Sequence, residues 1–346
     1  MGSFKTVSDI RNDFGVFRSA VALKRAQLPH KSQDEVWSYY ELGGEEEPEA
    51  DPIVFLPGTT TGAETFFYQL DALSCKGYRC ISCQYPPYYS VDEWVEGFER
   101  FLDVVKANKV YIFGVSLGGF LAQAYAVQHP RRVGGLLLCN SFTSTASFSE
   151  AAAGFVSLVH VTPTALLRSM LLENFPSSGD ARVMHANEWV KERLAGDDSA
   201  LDGYDLASRI TLAYTLATIG HVTLSEGKIL IIDVNDQCVT TAHVRQELKS
   251  RYPDAKVATL KQGGDFPFLS CASELTLYIE VHLRNCSLFP LKEQILEDQR
   301  SYNAYAQGDA GYGEMPQQSM PSAPAADPAP APAAPKPKVR YHNPFD

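Results

Sequence analysis

The strongest constraint on this chain is a pentapeptide, Gly114-Val115-Ser116-Leu117-Gly118, set between the apolar run Val110-Tyr111-Ile112-Phe113 and the helical run Phe120 to Val127. A serine between glycines at a strand-to-helix junction is the signature of a nucleophile elbow. Its glycines let helix and strand approach closely enough to lift the hydroxyl above a sheet edge. Such a turn needs a buried parallel strand before it and a helix packed back on the sheet after it, so it specifies an α/β architecture as well as a candidate nucleophile.

The rest of the chain has the matching rhythm. From residue 52 onward, short β-rich runs alternate with helical ones: strands are predicted over 52–56, 78–84, 109–115, 133–139, 228–233 and 255–260, and helices over 63–74, 91–105, 117–128, 241–251 and 272–284. Trp94, Val95, Phe98, Phe101, Leu102 and Val105 recur at spacings of three and four, one stripe for packing on a sheet. Residues 142–226 interrupt this pattern with a mostly helical, partly polar stretch between two strands expected to be sheet neighbours, and read as a cap. The acidic run Glu45-Glu46-Glu47-Pro48-Glu49 reads as a solvated hairpin loop joining a strand at Trp37 to Leu42 to the first buried strand. The expected fold is a mostly parallel sheet with helices on both faces, in a domain over residues 1–300 with a helical cap insertion at about 142–226. Hydrophobic periodicity then stops, and nine of the 21 prolines crowd between Pro316 and Pro344, interleaved with alanine. That composition lacks the apolar area to offset ordering entropy, so residues 301–346 are expected to form a disordered Pro/Ala-rich tail.

Composition narrows the function classes. A net charge of -11, from 30 Lys+Arg against 41 Asp+Glu, argues against a nucleic-acid partner, which needs clustered basic residues. Seven cysteines without a secretory leader suggest reduced thiols in the cytoplasm. Cys80 and Cys83 have metal or redox spacing, but they lie inside a strand-like run without a second pair, and packing explains them. The longest apolar stretch, Ala151 to Leu167, is interrupted by His160 and Pro163, short of the roughly 20 apolar residues a membrane helix needs. No metal and no cofactor is expected.

The elbow implies further parts. An oxyanion hole takes one backbone N–H from the residue after the nucleophile, here Leu117, and one from the loop after the first buried strand, here Thr59 or Thr60. The triad acid belongs after the strand ending near Asp233, where Asp236 is the candidate and Asp233 the second choice. The triad base belongs in Gly263-Gly264-Asp265-Phe266-Pro267, where active members of such folds carry a histidine, and Asp265 stands there instead. A carboxylate titrating near 4 is a weaker base than an imidazole near 6.5, and it has no N–H to offer Asp236. Loss of the triad histidine from a serine hydrolase removes roughly six orders of magnitude in turnover. None of the eight histidines falls between Gln262 and Leu269, which leaves His160 or His185 of the cap as recruits in an alternative, catalytic reading. Asp236 and Asp265 as a metal pair lack a third ligand.

Several segments together resemble the maspardin family, from about Phe4 to residue 285. They include Phe-Gly-x-Ser-Leu-Gly-Gly-Phe-Leu-Ala-Gln at 113–123, Leu-Cys-Asn-Ser-Phe at 138–142, and Gly-Gly-Asp-Phe-Pro-Phe-Leu at 263–269. Phe55-Leu56-Pro57, Gln84-Tyr85-Pro86, Asn174-Phe175 and Ala207-Ser208-Arg209-Ile210-Thr211-Leu212 add to them. The resemblance implies an α/β-hydrolase fold whose triad histidine is typically replaced. It further implies a non-catalytic binding protein of the cytosol and of endosomal or trans-Golgi membranes. The tail beyond residue 300 departs from the family pattern.

Two terminal motifs bear on location and partners. Met1-Gly2-Ser3-Phe4-Lys5-Thr6 fits N-myristoylation at Gly2; one acyl chain without a polybasic patch gives marginal, reversible attachment, hence at most peripheral membrane association. Asn343-Pro344-Phe345-Asp346 resembles the Asn-Pro-Phe ligand of EH domains in endocytic adaptors, with the Pro/Ala run as a spacer.

Overall fold

Alternation along the central strands sorts the core into two layers. The computed structural model describes residues 5–28, 35–44, 48–152, 154–176, 178–196 and 201–290. Their strands are β1 (Lys24–Leu28), β2 (Glu35–Leu42), β3 (Ile53–Leu56), β4 (Cys80–Gln84), β5 (Val110–Val115), β6 (Val133–Cys139), β7 (Ile229–Val234) and β8 (Lys256–Leu260). They form one sheet in the order β1-β2-β4-β3-β5-β6-β7-β8, parallel throughout except where β2 pairs antiparallel with β1 and β4. Successive side chains of a strand point to opposite faces. Thus Val54, Leu56 and Ile112 enter one apolar cluster, while Ile53, Phe55 and Phe113 enter the other.

Helices cover both faces, as parallel crossovers require. Going along the chain, they are α1 (Val7–Ala20), α2 (Phe67–Ser74), α3 (Val91–Val104), α4 (Leu117–Gln128), α5 (Ala146–Ala151), α6 (Thr164–Glu173), α7 (Ala181–Ala195), α8 (Gly203–Tyr214), α9 (Ala242–Arg251), α10 (Pro267–Ser270) and α11 (Ala272–Asn285). On one face lie α3, α4 and α9, and on the other α1, α2 and α11. The start of α3 is fixed by a capping box in which Ser90 and Glu93 bond each other's backbone N–H. Its aromatic stripe is buried, with Phe101 stacked on Trp37 of β2 at 4.6 Å between ring centroids.

β6 and β7 are sheet neighbours, and the chain between them forms α5 to α8. This cap has an apolar cluster of its own, including Val159, Leu167, Leu194, Leu206 and Ile210. One expectation is corrected. The segment after β2 is not a hairpin loop, because β2 pairs with β1 and β4 and never with β3. Pairing beside β4 buries Trp37 in the α3 layer, whereas a hairpin with β3 would occupy the edge that β4 takes. Cys80 and Cys83 are buried in opposite layers, so they cannot share a ligand. The tail over 301–346, Gly2 and Asn343-Pro344-Phe345 lie outside the described residues. Among the described residues no helix is long and apolar enough to cross a membrane.

Candidate active site

Ser116 sits between β5 and α4 with φ 49° and ψ −115°, backbone geometry that an L-residue adopts only under constraint. The constraint is visible on both sides. Ser116 N–H bonds Cys139 O at 3.0 Å, and a Cβ on Gly118 would run into the carbonyl of Leu56, so helix and strand close only on a glycine there. Leu117 opens α4, and a first-turn N–H has no carbonyl four residues back to serve within the helix. Thr59 and Thr60 follow β3, and both line the same cleft as Ser116. Thr59, Thr60 and Ser116 thus share one opening, whereas Leu117 is buried and is not among the residues that line it.

The loop bearing Thr59 and Thr60 is held by a residue the sequence reading did not single out for a role. Arg209 of α8 is fully buried, and its Nη1 donates to Gly58 O at 2.8 Å and to Thr61 O. The guanidinium also lies over the Tyr85 ring at 4.7 Å from the centroid. Next to it, Ser208 Oγ accepts from Tyr88 N–H at 2.9 Å and donates to Tyr88 O at 2.6 Å. These bonds fasten the cap to the rims of β3 and β4. The available sequence signal was a polar Ser-Arg pair inside an otherwise apolar helical stretch.

The two candidate acids have different tasks. Asp236, after β7, accepts from Gly263 N–H and Gly264 N–H through both carboxylate oxygens, at 3.0 to 3.1 Å. Two successive amides aimed at one carboxylate form a small anion nest, and Gly264 completes it at φ 60°, a left-handed conformation suited to glycine. Asp236 does not line the cleft; it shapes the turn that presents the next residue, Asp265. Asp233, the second choice, is committed elsewhere, to Arg245 at 2.8 Å and to Lys249.

Asp265 lines the cleft together with Ser116. Its Oδ1 accepts from Val239 N–H at 2.7 Å, while Oδ2 is buried with no hydrogen-bond partner among the described residues. Burial, reinforced by the negative charge of Asp236 and opposed by the Val239 N–H, pushes its carboxyl up to about 6. That corrects the expectation of a carboxylate near 4. In basicity Asp265 approaches an imidazole, and what it lacks is a hydrogen bond to Ser116 and a ring N–H for Asp236.

No histidine lines the cleft among the described residues. His160 packs against the Tyr89 ring at 4.8 Å, and His185 lies on α7, away from the residues that line the cleft. Cys238 offers no thiolate in place of the serine, because burial pushes its thiol up to about 12. Beyond its polar floor the cleft is walled by Phe142, Phe148, Phe175, Phe266 and Tyr214 around a cavity of about 90 Å³.

Comparison with known proteins agrees with this geometry. Residues 53–276 match the model of the alpha/beta hydrolase family. Maspardin of Danio rerio is 38% identical over 277 residues, covering 79% of this chain and 86% of that protein. Maspardin of Homo sapiens is 34% identical over 288 residues, covering 82% and 89%. Among solved structures, a thermophilic esterase from Thermogutta terrifontis superposes with a TM-score of 0.58 at 13% identity, covering 77% of this chain and 99% of that one, a likeness of fold alone.

Proposed function

Because the chain belongs to the maspardin family and has the α/β-hydrolase fold, we propose that it is a binding protein whose cleft retains a ligand without turning it over. The observation that carries this reading is the substitution at the centre of the cleft. Ser116 stands on a strained elbow beside an oxyanion loop, yet the residue facing the same space from the β8–α10 loop is Asp265, not an imidazole. Ser116 Oγ makes no hydrogen bond to any described residue, so nothing draws off its proton as an acyl carbon approaches.

In the same reading the body is an adaptor for endosomal or trans-Golgi trafficking, cytoplasmic with peripheral membrane association. Asn343-Pro344-Phe345 supplies the contact to EH-domain endocytic adaptors, and Gly2, when acylated, adds a weak membrane anchor. Support for these two roles comes from the sequence motifs.

A second reading draws on one observation. With its carboxyl pushed up to about 6, Asp265 is basic enough to accept the serine proton in a slow esterase. This differs from the recruited-histidine route, for which neither His160 nor His185 lines the cleft. Turnover of a short activated ester by the full chain separates the readings. The binding reading expects the same rate from wild type, Ser116→Ala and Asp265→Asn. A rate lost in both variants would establish the esterase.

A further inference from the structure

The charge of the cleft identifies a class of ligand. Asp265 is the one charged residue lining it among the described residues, and no lysine, arginine or histidine joins it there. The cations behind it are already engaged: Arg245 bonds Asp233 at 2.8 Å and Val234 O at 2.7 Å, and Lys249 also pairs with Asp233. On its other side stands a second carboxylate, Asp236, satisfied by backbone N–H groups that leave its charge in place.

Hydrogen bonding points the same way. Asn140 is 97% buried and lines the cleft; its Nδ2 donates to Gly264 O at 2.9 Å, while its Oδ1 is a buried acceptor with no donor. Asp265 Oδ2 is a second such acceptor. Two buried acceptors without donors, a carboxylate with no cation at salt-bridge distance among the described residues and a wall of aromatic rings call for a ligand rich in N–H and positive in charge, on an apolar body.

We propose that the cleft selects a protonated primary amine on an apolar stem, with Asp265 as its counter-charge, Asn140 Oδ1 as a further acceptor and the aromatic side chains around the stem. This deepens the binding reading and rests on it. The selectivity is opposite to that of an ester-cleaving site, because carboxylates and developing oxyanions are repelled by Asp265 and Asp236. The amine is carried either by a small molecule or by the amino terminus of a polypeptide.

Calorimetric titration of the full chain at pH 7.5 tests this with n-hexylamine, n-hexanol and hexanoate, and with leucyl-leucine amide against its N-acetyl form. The expected result is at least about tenfold tighter binding of the free amine than of its neutral counterpart in one or both series, with hexanoate weakest, as suits a charge-assisted hydrogen bond. Asp265→Asn should bring amine and neutral ligand to within about twofold. The groups facing Asp265 are Asp236, Arg245, the Val239 N–H and the Cys238 thiol, which burial keeps neutral at these pH values, and with its carboxyl pushed up to about 6, acidification to pH 5 should weaken the amine several-fold and leave hexanol unchanged. Equal binding of amine and neutral ligands in both series, preference for hexanoate, or an amine preference that survives Asp265→Asn would overturn the proposal. These ligands test charge selection independently of ester turnover, so a failure here is distinct from a failure of the binding reading.

Discussion

Replacing Asp265 by asparagine should stabilise the protein at alkaline pH and leave it unchanged below about pH 4. The side chains are nearly isosteric, and the asparagine carbonyl still accepts the Val239 N–H that Asp265 Oδ1 accepts at 2.7 Å. What disappears is a half-buried negative charge next to Asp236. Raising the carboxyl from 3.8 to about 6 corresponds to roughly 3 kcal/mol at 1.36 kcal/mol per unit. The sign follows from which state binds the proton more tightly. Above about 6 the carboxylate is ionised in folded and unfolded chains alike, and the folded chain bears the full cost. As the pH falls through 6 the folded chain takes up the proton first, so roughly half the cost remains near pH 5 and little below 3.8. Urea denaturation of wild type and Asp265→Asn at pH 8, 5 and 4 reads this directly. The gap should narrow from roughly 3 kcal/mol to a few tenths. Equal stabilities at pH 8, or a gap independent of pH, would refute the assignment of Asp265 as a half-buried carboxylate whose charge the fold disfavours.

Other perturbations probe different parts of the structure. Arg209→Met removes the charged donor to Gly58 O and Thr61 O and should destabilise the protein by about 2–4 kcal/mol in the same denaturation assay; a loss under 0.5 kcal/mol would mean that the loop holds itself. His282 is buried with Nε2 on Lys228 O at 3.1 Å and Nδ1 without a partner among the described residues, and burial holds its pKa below 6.5. The unfolded chain therefore binds the proton first, so stability should fall as pH drops through 6.5 towards the folded-state value, and His282→Gln should remove that part of the slope in an Asp265→Asn background. Asp265→His supplies a ring nitrogen beside Ser116 and should raise Ser116-dependent ester turnover by about 10²-fold or more; no gain would show that the cleft's geometry, and not the missing imidazole, sets the limit.

The sheet was legible because its signals are local. Buried runs such as Val110 to Val115 and Ile229 to Val234 announce their strands, and the elbow places Ser116 at a strand end without reference to anything distant. α1 and β1 carry no comparable local signal, because what secures them is remote: Phe14 packs on Trp189 at 5.5 Å, and β1 depends on pairing with β2. The same distinction runs through the site. Asp265 could be placed by counting from the last strand, but its basicity could not, since that depends on burial and on the charge of Asp236, 29 residues earlier in the chain. Arg209 reaches the loop at Gly58 across 151 positions, and no local pattern records such a bond. The sequence position of Asp236 fits a triad acid, and what it could not show is that the carboxylate accepts from the two glycine amides that build the Asp265 turn.

Intact-mass spectrometry of the full chain after exposure to a fluorophosphonate at neutral pH tests most directly whether the cleft lacks an activated serine. With no base bonded to the Ser116 hydroxyl, the mass should remain that of the unmodified chain, as it does for Ser116→Ala. Rapid addition of one phosphonyl group per chain, absent from Ser116→Ala, would contradict the account.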